Sequence, residues 1–310
     1  MDVKQWLSAE EVAAFTARSD LHGASYLAFN WLLIASIFWG MAQWSNPFSW
    51  LLGALLLGGR QLGLAILMHE AGHGTLFCSP VFNRLAGSWL CAYPILSGLE
   101  AYAMSHRGHH ALAGSTKDPD LENYRAYPVS LESFQRKIFR DMSGRTGVRN
   151  LLALFRGSGG DLMTRGEGQR SSLAQGIAAN LLLAMVLFWS GVGELYLVWV
   201  VAYLTIYPLT ARIRQLAEHG NVGNLFDADP RNHTRTTRGN WLERFLICPN
   251  QVNFHCEHHF MASVPCYRLQ AFHEVLHQRG FYAEHEHALA KGYKSVLKKA
   301  VYKSTPQPLA

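Results

Sequence analysis

Residues 24 to 44, ASYLAFNWLLIASIFWGMAQW, carry no formal charge and hold three tryptophans, Trp31, Trp39 and Trp44. As a helix this run is long enough to cross a bilayer core of about 30 Å. After Asn46 and Pro47 a second apolar run covers 48 to 68, broken only by Arg60 and Gln61, and ends on the sequence HEAGH. Two more apolar runs, 173 to 190 and 195 to 211, flank the short turn GVGE and predict a helical hairpin in the membrane. Residues 85 to 103 are also apolar but contain Gly87, Pro94, Gly98 and Glu100. Such broken backbone is tolerated at membrane depth only under cover of protein, so a re-entrant or interfacial segment is expected. Residues 121 to 172 are polar and rich in Arg and Gly around one apolar patch, NLLALF, and read as an insert lying on the membrane surface. Near the start, Ser8 and Glu11 have capping-box spacing for a short amphipathic helix.

These elements define the expected fold: one all-α domain over 1–310, an integral membrane bundle of four transmembrane helices, with 85–103 re-entrant or interfacial. The two inter-span turns, SNPF and GVGE, lack Lys and Arg. By the positive-inside rule they face outward, which puts both termini and the segments 104–172 and 212–310 in the cytoplasm as a helical cap. A bacterial inner membrane fits this arrangement.

Composition agrees with a membrane class. Hydrophobic residues reach 49%, charged residues 16%, and the mean hydropathy is zero because apolar runs alternate with Arg-rich ones. A net charge of +6 suits a surface beside anionic lipid. No basic run interleaved with aromatics points to nucleic acid. The five cysteines, Cys78, Cys91, Cys248, Cys256 and Cys266, form no CxxC pair and read as reduced thiols. Nor does the opening MDVKQWLSAEEVAAF have the apolar core of a cleaved signal peptide.

The chemistry lies in histidines. His69 and His73, then His106, His109 and His110, then His255, His258 and His259 form three clusters at spacings of three and four, so each projects from one helix face. The topology puts all three on one side of the membrane. One tetrahedral metal needs about four ligands, so eight clustered imidazoles imply two metals. His219, in RQLAEHGN past the fourth span, is a ninth candidate. All-imidazole ligation suits iron, zinc or copper over calcium or magnesium. His22, His233, His273, His277, His285 and His287 fall in tails or polar loops and read as ordinary surface residues.

With HEAGH, HRGHH and HCEHH in place, the chain resembles the membrane fatty acid desaturase and hydroxylase superfamily from about Arg60 to Arg268. The Arg60–Gln61 pair, the DPD at Asp118 to Asp120, and NFHCEHH followed by VPCYRL add to the resemblance. It implies a non-haem di-iron centre using O2 and two external electrons to oxidise an unactivated C–H bond of a lipid chain. It also implies that His69, His73, His106, His109, His110, His255, His258 and His259 are ligands, with His219 as an extra one. Ligating imidazoles commonly donate their other N–H to carboxylates, and Glu70, Asp118, Asp120, Glu218 and Glu257 are the candidates for that role. Arg60 lies nine residues before His69 on the other face of the helix, about 13 Å along it, and is expected to pack against the bundle or a polar substrate end.

The expected function is desaturation of a fatty acyl chain from the bilayer. The electrons would come from a separate ferredoxin, rubredoxin or cytochrome b5 type protein, since the chain carries no haem or flavin module. Membrane lipids account for the basic insert better than donor docking does. Hydroxylation, carotenoid ketolation and alkene-forming decarboxylation are alternatives within the superfamily. An HExxH zinc protease, with Glu70 as base, leaves both HxxHH clusters without a role. A metal-storing protein would need no apolar substrate path.

Overall fold

The computed structural model describes residues 2–156 and 170–303. In chain order the helices are α1 (Ala9–Thr16), α2 (Asp20–Gln43), α3 (Pro47–His73), α4 (Pro80–Ala86), α5 (Leu99–Leu112), α6 (Leu121–Tyr124), α7 (Leu131–Met142), α8 (Arg145–Arg156), α9 (Arg170–Trp189), α10 (Leu195–Leu204), α11 (Ile206–His219), α12 (Pro230–His233), α13 (Trp241–Leu246), α14 (His255–Phe260), α15 (Cys266–Gln278) and α16 (Tyr293–Ala300). Among the described residues strand is confined to two parallel pairs of two-residue strands, β1 (Val129–Ser130) with β4 (Val301–Tyr302) and β2 (Thr236–Thr237) with β3 (Leu289–Ala290). The fold is therefore an all-α bundle. Residues 157–169 of the expected surface insert lie outside the described residues.

Among the described residues four stretches are long and apolar enough to cross a membrane: Asp20–Gln43, Pro47–His73, Ser172–Trp189 and Leu195–His219. The second is the axis of the bundle. Every residue from Leu57 to Ala71 is buried, because α2, α5, α10, α11 and α13 all pack on α3. Gly59 permits one of these contacts, since a Cβ there would lie 2.9 Å from the Leu246 Cα on α13. The two interrupting polar residues tie the bundle together. Arg60 donates to the Asn30 side chain of α2 at 3.2 Å and to the Phe245 carbonyl, with its guanidinium 4.2 Å from the Phe245 ring centre. Gln61 donates to the Trp199 carbonyl at 2.9 Å. Arg60 thus packs against the bundle, and no substrate is needed to explain it.

Helix limits exceed the apolar runs. Ser19 caps α2, which starts at Asp20, four residues before the uncharged stretch begins, and α3 continues through the HEAGH sequence to His73. The fourth apolar run stops at 211, but helix carries on to His219 after a break at Thr205. Pro208 has no N–H for the Leu204 carbonyl, and the Thr205 hydroxyl bonds back to the Val201 carbonyl at 2.6 Å, two known causes of a helix bend.

The 85–103 segment is not among the spanning helices. After α4 it winds through π-helical turns, Gly87–Ala92, and a 3-10 turn, Tyr93–Ile95, to Leu96 in the left-handed region. Its loose carbonyls are bonded by neighbours: Trp31 Nε1 donates to Leu90 at 2.9 Å, and the Asn180 amide to Tyr93 and Pro94 at 3.1 and 3.3 Å. This is how broken backbone is made tolerable in an apolar setting. It then turns directly into α5, which carries the second histidine cluster.

Candidate metal centre

Each cluster is placed by a helix end. His69 and His73 occupy the last two turns of α3, His106, His109 and His110 the last turns of α5, His219 the last residue of α11, and His255, His258 and His259 the short helix α14. Their rings meet in two groups. His69, His73, His106, His110 and His258 form one and His109, His219, His255 and His259 the other, each with ligand nitrogens within 4.8 Å of one another. Ring nitrogens bound at about 2.1 Å to one ion lie at most about 4.2 Å apart, so small inward shifts would close each group around a cation.

Closest approaches run between Nε2 atoms: 2.8 Å for His255 to His219, 3.0 Å for His110 to both His106 and His258, and 3.3 Å for His109 to His259. The outward nitrogens explain why a cation fits here. His219 Nδ1 donates to the His233 carbonyl at 3.1 Å, His109 Nδ1 to Asp118 at 2.8 Å and His69 Nδ1 to Glu70 at 3.1 Å. Because those partners accept the one N–H of a neutral imidazole, the inward Nε2 atoms present lone pairs to one another. His73 Nε2 is also buried without a hydrogen-bond partner. A bound metal ion would turn this crowding of lone pairs into ligation.

Burial holds His106, His255, His258 and His259 well below the ordinary imidazole pKa, and pushes His110 down to about 2. They are neutral at physiological pH, as ligation requires. His109 differs: burial also works against its charged form, but the hydrogen bond to Asp118 and the nearby carboxylates outweigh it and raise its pKa.

The acidic residues divide. Glu70 takes His69 and is itself held by the Thr75 hydroxyl at 2.8 Å and the Cys266 amide at 2.9 Å, which ties the first cluster to α15. Asp118 takes His109 and the Tyr124 hydroxyl. Asp120 and Glu218 stand further off, 3.9 Å from His109 Nδ1 and 3.6 Å from His255 Nδ1. Glu257 has another role than the one expected. Although it sits between ligand candidates on α14, its side chain leaves the opposite face of the helix and accepts from Thr236, His273 and Tyr282.

Two histidines expected on the surface are buried. His233 is 4% exposed and His273 9%, the first because Pro230 starts a short helix that packs on α14, the second because α15 brings it against Glu257. His22, His277 and His287 are exposed and His285 is half-buried. Two tyrosines escaped the sequence reading. Tyr102 stacks on His106, with ring centres 5.3 Å apart, and Tyr124 on His219 at 4.7 Å. Tyr102 precedes His106 by one helical turn, a spacing that could have flagged it. Between the two groups lies a cavity of about 20 Å³, room for one water, walled by His106, His219, His255, Asp120, Tyr124 and Arg214 among others.

Apolar spanning helices and a buried multi-imidazole site together define a membrane protein with a candidate metal centre. Residues 45–292 match the family described as Fatty acid desaturase, and the chain belongs to that family. Dihydrorhizobitoxine desaturase of Bradyrhizobium elkanii is similar at 28% identity over 284 residues, 84% of this chain and 77% of the relative. The protein is accordingly an integral membrane oxidoreductase, and the zinc protease reading of HEAGH is set aside. All nine clustered histidines fall inside the matched span.

Proposed function

We propose that this protein is an O2-dependent di-iron desaturase that introduces a double bond into a lipid acyl chain, on the cytoplasmic face of a bacterial inner membrane. The observation that carries the reading is the pair of buried imidazole groups, five and four strong, at the ends of apolar helices. Two irons held there would supply the oxidising power, drawn from O2 and two electrons of a separate ferredoxin, rubredoxin or cytochrome b5 type carrier, that side chains lack for an unactivated C–H bond.

The chain's own residues prepare the site. Glu70, Asp118 and the His233 carbonyl fix ring orientation and tautomer, so the ligand nitrogens point inward before any metal arrives. Tyr102 and Tyr124 cover the flanking ring faces of His106 and His219. A substrate carbon must be held within reach of both groups, and the small cavity between them is the position that borders both.

The polar part of that cavity's lining, Asp120, Arg214, Gln215 and Glu218, supports a second reading in which the oxidised molecule is polar near the reacting carbon. The relative's name, which specifies dihydrorhizobitoxine, fits this reading. One experiment addresses both. The chain is expressed in a bacterium of defined lipid content, and lipid and polar extracts are profiled by mass spectrometry. New double bonds in acyl chains, absent with His258→Ala, are expected. Hydroxylated chains or terminal alkenes would sink the desaturase reading, and unsaturation confined to the polar extract would favour the second substrate class.

A further inference from the structure

The hairpin of α7 and α8 has no role in the site described above. Gly144, at φ +76°, makes its turn, and a Cβ on Gly147 would lie 2.4 Å from the Leu204 carbonyl oxygen, so α8 sits directly on the break between α10 and α11. Buried Asp141 anchors it from within, taking Arg212 at 2.5 and 2.9 Å and the Thr146 hydroxyl at 2.6 Å. That carboxylate is spent inward. On the outer side Arg136, Lys137, Arg140 and Arg145, with Ser133 and Phe139, line a cradle of about 290 Å³ with no carboxylate in its lining among the described residues. None of those three arginines has an ion-pair partner among the described residues.

The surroundings are those of a membrane interface. Phe139, Met142, Val148, Leu152 and Phe155 are exposed on the same hairpin, interleaved with the exposed Arg140, Arg145, Arg149 and Arg156. Further along α8, Leu151 and Phe155 border an apolar groove of about 250 Å³ whose other walls include Ile177, Leu181, Tyr196 and Leu204. From Arg145 to Leu151 is about 9 Å along the helix. A cationic cradle and an apolar groove so spaced match the headgroup and chain of one lipid.

We propose that the α7–α8 hairpin is a binding site for an anionic phospholipid, its phosphate held by Arg136, Lys137, Arg140 and Arg145 and a chain laid in the groove beside Leu151 and Phe155. Partial burial and the neighbouring Arg212, Arg140 and Arg136 lower the Lys137 pKa, and Asp141 offsets them only in part. The site is independent of the substrate reading, and none of its residues belongs to the imidazole groups.

The test uses the full-length protein in neutral detergent, with lipid adducts counted by native mass spectrometry. Phosphatidylglycerol should bind in preference to phosphatidylcholine of the same chains. If each arginine contributes roughly fivefold near an anionic headgroup, Arg136→Ala, Arg140→Ala and Arg145→Ala together should weaken phosphatidylglycerol roughly a hundredfold and abolish the preference. An unchanged melting temperature in lipid-free detergent shows the triple variant folded. If it does not fold, the single variant Arg140→Glu, which should still weaken the preference, decides the matter. Equal adducts of the two lipids, or a preference that survives both variants, overturns the proposal. Displacement of phosphatidylglycerol by equimolar glycerol phosphate would mark a site for soluble phosphate and also overturn it. So would variants that keep their lipid but lose reduction by a [2Fe–2S] ferredoxin, an outcome that assigns the surface to an acidic protein.

Discussion

Asp118 holds His109 at 2.8 Å and is held in turn by Tyr124, whose ring lies on His219. One carboxylate thereby orders both an α5 and an α11 imidazole of the four-histidine group. Replacing it with Asn keeps the shape but removes the charge that favours the Nδ1–H tautomer. Asp118→Asn should weaken iron binding about 10- to 100-fold, read by titrating metal into apoprotein; unchanged affinity would end its orienting role. His219→Ala should lower bound iron per chain, and full occupancy in that variant would remove His219 from the site. Glu257 is expected to behave differently. With its carboxylate gone, His273, Tyr282 and Thr236 lose a shared acceptor in a buried pocket, so Glu257→Ala should cost about 3 kcal/mol or more of stability, visible as a lowered melting temperature. At this scale the sequence exposed the candidate ligands, because spacings of three and four put them on single helix faces. It could not separate Glu70, aimed at a ligand, from Glu257, aimed away, since both are acidic neighbours of histidine and only the neighbouring elements decide what each meets.

Among the elements, α3 carries most of the organisation. Its continuous burial leaves Arg60 nowhere to put its charge but into bonds with α2 and the chain just before the third cluster. Arg60→Ala takes the donor from the buried Asn30 Oδ1 and from the part-buried Phe245 carbonyl, at about 1–3 kcal/mol for a buried group left unsatisfied. The variant should melt earlier and hold less metal, because the segment leading to α14 loses one of its tethers and keeps those of Asn250 to Asn30 and the Gly63 carbonyl; normal metal content with normal melting would show the Arg60 tether to be dispensable. The apolar runs located the spanning helices but not their ends. Ser19, a polar cap, starts α2 ahead of its run, and α11 continues through polar residues because packing on α3 and α6, not hydrophobicity, holds it helical. Likewise the break at Thr205 follows from Pro208, a local signal hidden inside an apolar stretch.

For the molecule as a whole, orientation in the membrane is the property most open to test. The turn at 44–46 joins the far ends of α2 and α3, whereas exposed Cys78 lies near the end bearing the histidines, its amide bonded to Asp20 at 2.8 Å. Four other cysteines are buried, so Cys78 is a natural reporter. With Ser45→Cys added, a membrane-impermeant maleimide should label position 45 in intact spheroplasts and Cys78 only after permeabilisation. The reverse pattern would invert the proposed topology. Metal should also stabilise the whole bundle, since an ion bound only by the folded state shifts the unfolding equilibrium; stripping it with a chelator should lower the melting temperature.

By itself the sequence determined the membrane class, the spanning helices and the imidazoles that could hold metal, because hydrophobic length and helical periodicity are local properties written in consecutive residues. The tertiary structure alone decided how nine imidazoles divide into groups of five and four, so that His109 and His110, adjacent in the chain, serve different groups. It also brought His233 and His273 into the interior and made a basic insert into a shaped cradle. Those outcomes depend on how helices far apart in the chain pack against one another, and no window of consecutive residues contains that information.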